Sequence, residues 1–164
     1  MNEFRRSVWI GFFWSIVTGT LLHFLYAWTG ENRVVGLYSA VNESTWEHLK
    51  LLFFPVLAYT VWEYFWVGHR WKGYVLARME AVLLGMLAIV ALFYTYTGIF
   101  GRNWLVADIL TFVAGAAVTA WFTWHRAPKD HGDSLLGGLL FALIAICFGV
   151  FTFYPPSFGM FVSP

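Results

Sequence analysis

The chain has 164 residues, of which 60% are apolar and only 12% are charged. This composition is typical of a protein embedded in a lipid bilayer and excludes an ordinary soluble domain. The formal net charge of +1 and the single cysteine, Cys147, leave no basis for nucleic-acid binding, a disulfide framework or a cysteine-based zinc site.

Five stretches are long and apolar enough to cross a bilayer, which takes about 20 residues of helix. In chain order they cover residues 7–29, 44–68, 74–97, 104–125 and 134–154. Turn-forming residues separate them, and unpaired backbone groups are too costly in hydrocarbon for any conformation other than a helix. We therefore predict an all-α, polytopic membrane protein in which one five-helix transmembrane domain covers residues 1–164.

Lysine and arginine are unevenly distributed between the two ends of these spans. If the N-terminus lies inside, the inner side holds Arg5, Arg6, Arg70, Lys72, Arg78, Arg126 and Lys129, and the outer side holds Arg33, Lys50 and Arg102. Because cytoplasmic loops carry the excess of positive charge, this distribution predicts an inside N-terminus and an outside C-terminus.

Polar residues are concentrated in residues 41–50, VNESTWEHLK, where the second span begins. Ser44 followed by Glu47 fits a capping box, which explains these two residues without any function. Helical spacing would also place Glu43, Glu47 and Lys50 on one stripe. A cap does not require His48 or a second carboxylate, so the sequence predicts that these groups face a polar cavity or pair with one another, for example Lys50 with Glu47 or Glu43.

Other spans place polar groups at the same predicted depth. His23 lies near the outer end of the first span, and Asp108 lies one turn into the fourth. We predict that His23, His48 and Asp108 bind zinc, or alternatively manganese or iron. Glu43 or Glu47 would then act as general base or acid on a coordinated water. The residues expected to contact a ligand at this site are Asn42, Ser44, Trp46, Lys50 and Arg102.

A second polar layer is predicted near the inner face, at Glu63, Arg78 and Glu80. We favour a structural ion pair between Glu63 and Arg78, whose long side chain can reach the interface. The alternative makes Glu63 and Glu80 inner stations of a proton or ion path.

The stretch from His23 to Pro55 resembles a family of small bacterial integral membrane proteins of unknown function, with the core SPVNES-x-WEHLK. Ala40 replaces the proline of that core, and the remaining positions match. This resemblance implies an integral protein of the bacterial cytoplasmic membrane and no particular activity. NESTWEHL is also similar in residue types to a zinc-binding segment of the adiponectin-receptor and hemolysin III-type proteins, and this analogy implies that His48 is a ligand.

Three functions follow from these observations and remain open. The first is a metal-dependent hydrolase that acts on a lipid or another amphiphile. The second is a small-molecule binding protein or proton-coupled transporter, and the third is an accessory or assembly protein of the membrane. The expected partners are the lipid bilayer, a small apolar or amphiphilic ligand and, as an option, further copies of the chain.

Overall fold

The computed structural model describes residues 3–129 and 132–162, and this part of the chain contains helices and no strands. Its α-helices are α1 (Glu3–Trp28), α2 (Arg33–Gly36), α3 (Thr45–Trp66), α4 (Tyr74–Phe100), α5 (Leu105–Arg126) and α6 (Ser134–Phe153). Short 3₁₀ turns follow at Gly68–Arg70, Ala127–Lys129 and Gly159–Phe161. The long helices coincide closely with the predicted spans. The largest difference is that α1 begins at Glu3 rather than at residue 7.

Four of the helices in the described residues are long and apolar enough to cross a membrane: α1, α4, α5 together with its 3₁₀ extension, and α6. The sequence predicts a fifth span at α3, which is not among these four. The physical reason is that Glu47, His48, Lys50 and Glu63 lower the mean hydropathy of α3. Helix α3 is instead the most buried long helix, with buried residues along most of its length.

Helix α3 lies at the centre of the bundle, where it contacts α1, α4, α5 and α6. Its side chains Leu52 and Phe53 are fully buried, and they share one apolar cluster with Met79 and Val82 of α4 and with Phe148 of α6. Burial of such side chains is the main favourable term that a core supplies. The central helix contributes Glu47, His48 and Lys50 to the predicted outer polar layer and Glu63 to the inner one, and its neighbours surround it.

Local signals set the helix ends. The side chains of Asn32, Ser44 and Asp133 accept backbone N–H bonds at the starts of α2, α3 and α6. Such caps satisfy donors that have no partner within the helix. Helix α4 ends at Gly101, whose φ of 68° lies in the left-handed region that glycine tolerates best.

Small residues let the helices approach closely. A Cβ atom added to Gly85 of α4 would lie 2.6 Å from the carbonyl oxygen of Gly115 in α5. A Cβ atom on Gly19 of α1 would strike the carbonyl oxygen of Leu51. Because Pro55 has no N–H, that carbonyl lacks its usual helical donor, and the bare backbone of α1 packs against it.

The adjacent glycines Gly137 and Gly138 offer a matched test of this packing. A Cβ atom on Gly137 would lie 2.6 Å from the Cα atom of Leu76, whereas one on Gly138 would meet nothing within 4 Å. We expect Gly137→Ala to destabilise the protein by about 1–3 kcal/mol through overpacking. Gly138→Ala should be neutral or stabilising by up to about 1 kcal/mol, since alanine favours a helix. Thermal unfolding in detergent measures both, and equal effects would contradict the packing.

Candidate metal centre

The polar segment at residues 41–50 divides into two groups of side chains with different surroundings. The first group builds the start of α3. Ser44 Oγ accepts the backbone N–H of Glu47 at 3.4 Å, and Asn42 Oδ1 accepts the N–H of Ser44 at 2.9 Å. The serine half of the predicted capping box is therefore present, with Asn42 in the place that the box gives to the glutamate side chain.

Glu47 and Lys50 form a buried ion pair, with 2.6 Å between Lys50 Nζ and Glu47 Oε2. Only 2% of the Glu47 side chain and none of the Lys50 side chain is exposed. Glu47 also accepts the N–H of Val41 at 3.0 Å, and Lys50 donates to the carbonyl oxygen of Gly36 at 2.8 Å. A buried charge needs such partners, because burial without them is costly.

Thr152, at the C-terminal end of α6, completes this arrangement. Its hydroxyl donates to Glu47 Oε1 at 2.8 Å and accepts from Lys50 Nζ at 2.9 Å. Thr152 was not predicted, because a lone threonine near a helix end gives no sequence signal. Glu47 was predicted to be catalytic and Lys50 to bind a ligand. In the structure their side chains instead form an ion pair with each other and hydrogen bonds with Thr152.

The second group brings together His23, Glu43 and His48. His48 Nε2 lies 3.5 Å from Glu43 Oε2, and His23 Nε2 lies 3.9 Å from Glu43 Oε1. One ligand atom from each residue lies within 4.8 Å of the other two, and the imidazole centroids are 5.3 Å apart. Ligands around one tetrahedral zinc ion are separated by about 3.3 Å. A small closing movement would therefore let all three bind the same ion.

Each side chain of this His23–Glu43–His48 cluster reaches it from a different element. His23 comes from the last part of α1, Glu43 from the loop before the cap of α3, and His48 from the first turn of α3. Because Glu43 precedes the cap residue Ser44, it does not share the helical stripe of Glu47 and Lys50 that the sequence predicts. It turns instead toward the two imidazoles.

The two imidazoles differ in their second hydrogen bonds. His48 Nδ1 lies 2.9 Å from the carbonyl oxygen of Ser44. Since a carbonyl oxygen only accepts, Nδ1 carries the proton and Nε2 is free to bind a metal, the arrangement usual for metal-binding histidines. His23 Nδ1 is buried and has no hydrogen-bond partner among the described residues. Nε2 is therefore the nitrogen by which His23 faces Glu43 and the rest of the cluster.

The cluster is open to the surroundings on the side of Glu43. The Glu43 side chain is 69% exposed, compared with 28% for His23 and 35% for His48. A site with two imidazoles, one carboxylate and an accessible remaining position has the donor set of a catalytic zinc site. The residues present therefore fit a divalent transition metal.

Other predicted site residues lie outside this cluster. Asp108 accepts a hydrogen bond from the hydroxyl of Tyr96 in α4 and is not among the three grouped residues. Arg102 stacks over Trp104, with 5.0 Å from Cζ to the ring centroid. Trp46 packs against Phe148 of α6 and Phe161 of the C-terminal turn. Its indole N–H is buried without a partner in the described residues.

The inner layer is built around Glu63, which is fully buried. Its carboxylate accepts hydrogen bonds from the hydroxyls of Ser7 and Tyr74, and Arg78 Nε lies 3.8 Å away. Arg78 also donates to the hydroxyls of Thr60 at 3.0 Å and Thr123 at 3.2 Å. The structure thus contains the ion pair that the sequence analysis favoured for these two residues.

Glu80, the third residue of the predicted inner layer, lies apart from Glu63. Its carboxylate is 3.2 Å from Arg126 Nε, and both side chains are more than one-third exposed. An exposed pair of this kind contributes little to stability.

A model of a family of unknown function (DUF6512) matches residues 1–163 of the chain. No curated protein and no solved structure matches the chain. The prediction that the chain resembles a family of unknown function is therefore confirmed. The SPVNES-x-WEHLK signature and the adiponectin-receptor analogy stay predictions. Since the family has no known activity, a function has to be argued from the arrangement of the side chains.

Proposed function

The chain belongs to this family of unknown function, and we propose that it is a membrane metalloprotein whose His23–Glu43–His48 cluster binds a divalent transition-metal ion. The observation that carries the proposal is the convergence of the three ligand atoms within 4.8 Å from three separate elements. Zinc is the first candidate, and manganese and iron are the alternatives. Glu43 takes the place that the sequence analysis gave to Asp108.

The finer proposal is that this site hydrolyses a lipid or another amphiphile. A zinc ion in a site with three protein ligands lowers the pKa of its bound water, which supplies a nucleophile at neutral pH. The exposed Glu43 side of the cluster gives a substrate access, and the position at the end of the bundle suits a molecule held at the membrane surface. Glu47 is excluded from the general-base role because its carboxylate is paired with Lys50.

We also propose that α3 crosses the membrane as a fifth, shielded helix and that the metal site faces the outside of a bacterial cytoplasmic membrane. Basic residues from different segments meet at the opposite end of the bundle. Arg70 pairs with Glu3 at 2.8 Å, and Arg5 stacks on Trp124 at 4.2 Å from the ring centroid. The positive-inside rule would place that end in the cytoplasm.

Metal analysis of the detergent-purified chain tests the proposed site. We expect about one equivalent of zinc to bind, and His23→Ala or His48→Ala to weaken binding by at least about tenfold. Binding should also fall at acidic pH, because protons compete for the imidazole nitrogens. Asp108→Asn is the matched control, since it removes a carboxylate outside the cluster. Wild-type protein that binds no zinc, manganese or iron would contradict the proposal.

The hydrolase step is tested separately, with a fluorogenic phospholipid and a nitrophenyl ester of a long-chain acid as probes. Turnover that disappears with a chelator and in His48→Ala, but not in Asp108→Asn, would support hydrolysis. Metal binding without turnover would instead favour the small-molecule binding protein or proton-coupled transporter. Proton uptake into vesicles that contain the protein would then test for transport. Normal assembly with neither metal nor ligand would favour the accessory role.

A further inference from the structure

A shallow groove runs along the exposed face of the N-terminal part of α1, and it shares no residue with the His23–Glu43–His48 cluster. Its volume is about 470 Å³. The groove is lined by Arg6, Trp9, Ile10, Phe13, Trp14 and Val17. These residues form two ridges at i, i+4 spacing, and the distance from Arg6 to Val17 along the helix is about 16 Å at 1.5 Å per residue. The groove is therefore a track parallel to the helix axis, with a cation at one end and apolar walls beyond it.

The aromatic walls of the groove are held in place. The indole N–H of Trp14 donates to the carbonyl oxygen of Pro55 in α3 at 3.1 Å. The Trp9 and Phe13 rings are stacked, with 6.3 Å between their centroids. Side chains that are already ordered lose less entropy when a ligand binds. The walls are thus suited to hold one extended hydrocarbon chain.

Arg6 differs from Arg5 and Arg70, two other arginines at this end of the bundle. Arg70 pairs with Glu3, and Arg5 stacks on Trp124. Arg6 is exposed and has no ion pair, hydrogen bond or ring contact within the described residues. A guanidinium group binds a phosphate through two parallel hydrogen bonds, and an anionic phosphodiester would satisfy it.

We propose that this groove is a binding site for one anionic phospholipid, with its headgroup phosphate on Arg6 and one acyl chain along Trp9, Phe13 and Val17. Charge complementarity favours a lipid over a second copy of the chain. Two copies share the same orientation in a membrane, so a symmetric contact through this face would bring their Arg6 side chains to the same depth and close together. The proposal is independent of the metal site.

The test compares phosphatidylglycerol with phosphatidylcholine by native mass spectrometry and by thermal stabilisation of the purified full chain. We expect wild type to retain phosphatidylglycerol preferentially and Arg6→Gln to weaken this binding about fivefold, the effect of losing one charge–phosphate contact. Phe13→Ala should weaken both lipids and leave the preference intact. Inorganic phosphate should not compete, because it lacks the acyl chain.

Arg5→Gln is the matched control, since it removes the same charge from the neighbouring position. Equal loss of preference in Arg5→Gln and Arg6→Gln would mean that only the overall positive charge attracts the lipid, and it would overturn the site. A concentration-dependent dimer that Phe13→Ala dissociates would also overturn it, because the groove would then be covered by a second copy. Retained preference in Arg5→Gln together with its loss in Arg6→Gln supports the proposal.

Discussion

Replacing Lys50 by methionine is expected to lower the free energy of unfolding by about 3–5 kcal/mol. The substitution keeps an apolar stem of similar length and removes only the ammonium group. It leaves the Glu47 carboxylate buried, with just the N–H of Val41 and the hydroxyl of Thr152 as donors. Titration with a denaturing detergent, followed by tryptophan fluorescence, measures the change.

Two further variants show whether this effect comes from the unpaired charge. The double variant Glu47→Gln with Lys50→Met should recover most of the lost stability, because no buried charge remains. Arg70→Gln breaks the exposed pair with Glu3 and should cost less than about 1 kcal/mol. A Lys50→Met protein as stable as Arg70→Gln would show that the buried Glu47–Lys50 pair contributes no more to stability than an exposed pair.

The same ion pair connects stability to the proposed metal site. Glu47 binds the N–H of Val41, and Lys50 binds the carbonyl oxygen of Gly36, so together they fix both ends of the loop that precedes Glu43. The carboxylate that faces the two imidazoles therefore depends on a pair that does not touch them. In this segment Asn42, Ser44, Glu47 and Lys50 therefore build the local structure, whereas Glu43 and His48 belong to the proposed metal site.

Hydropathy and turn residues were sufficient to predict the long helices, because both depend on local sequence. The fifth span at α3 stays a prediction, because α3 obtains its apolar surroundings from neighbouring helices rather than from its own composition. Its charged residues lower its hydropathy, although Glu47, Lys50 and Glu63 are all buried in the bundle. The burial of α3 is a property of the packing and cannot be read from one segment.

The site could be predicted only in part for a similar reason. The depth of His23 and His48 follows from their position along a span, but the direction of each side chain depends on helix rotation. Asp108 lies at the start of α5, and the structure turns it to Tyr96. For Glu43 the error was to extend the helix to the residue before its cap Ser44, which placed Glu43 on the wrong face. The helical periodicity of 3.6 residues per turn predicts side-chain directions only for residues that follow the N-cap.

The second large loss of stability is expected in the inner polar layer, at the Glu63–Arg78 ion pair. We expect Arg78→Met to lower the free energy of unfolding by about 3 kcal/mol, at the lower end of the range for a broken buried pair. Glu63 would lose its cation but keep the hydroxyl donors of Ser7 and Tyr74. Thr60 and Thr123 would lose a donor in turn. The measurement is the same detergent titration as for Lys50.

Glu63→Gln separates a structural ion pair from a station on a proton path. Glutamine keeps one acceptor oxygen for Ser7 or Tyr74, and its amide N–H can donate to the other hydroxyl. Arg78 keeps two threonine hydroxyls and lies 5.7 Å from the ring centroid of Tyr59. The loss of stability should therefore not exceed the lower end of the range for a broken buried pair, about 3 kcal/mol. If Glu63 has a structural role, proton movement into vesicles containing this variant should equal that of wild type. A stable Glu63→Gln protein that loses proton uptake present in the wild type would instead make Glu63 a proton carrier, because an amide cannot take up and release a proton as a carboxylate does.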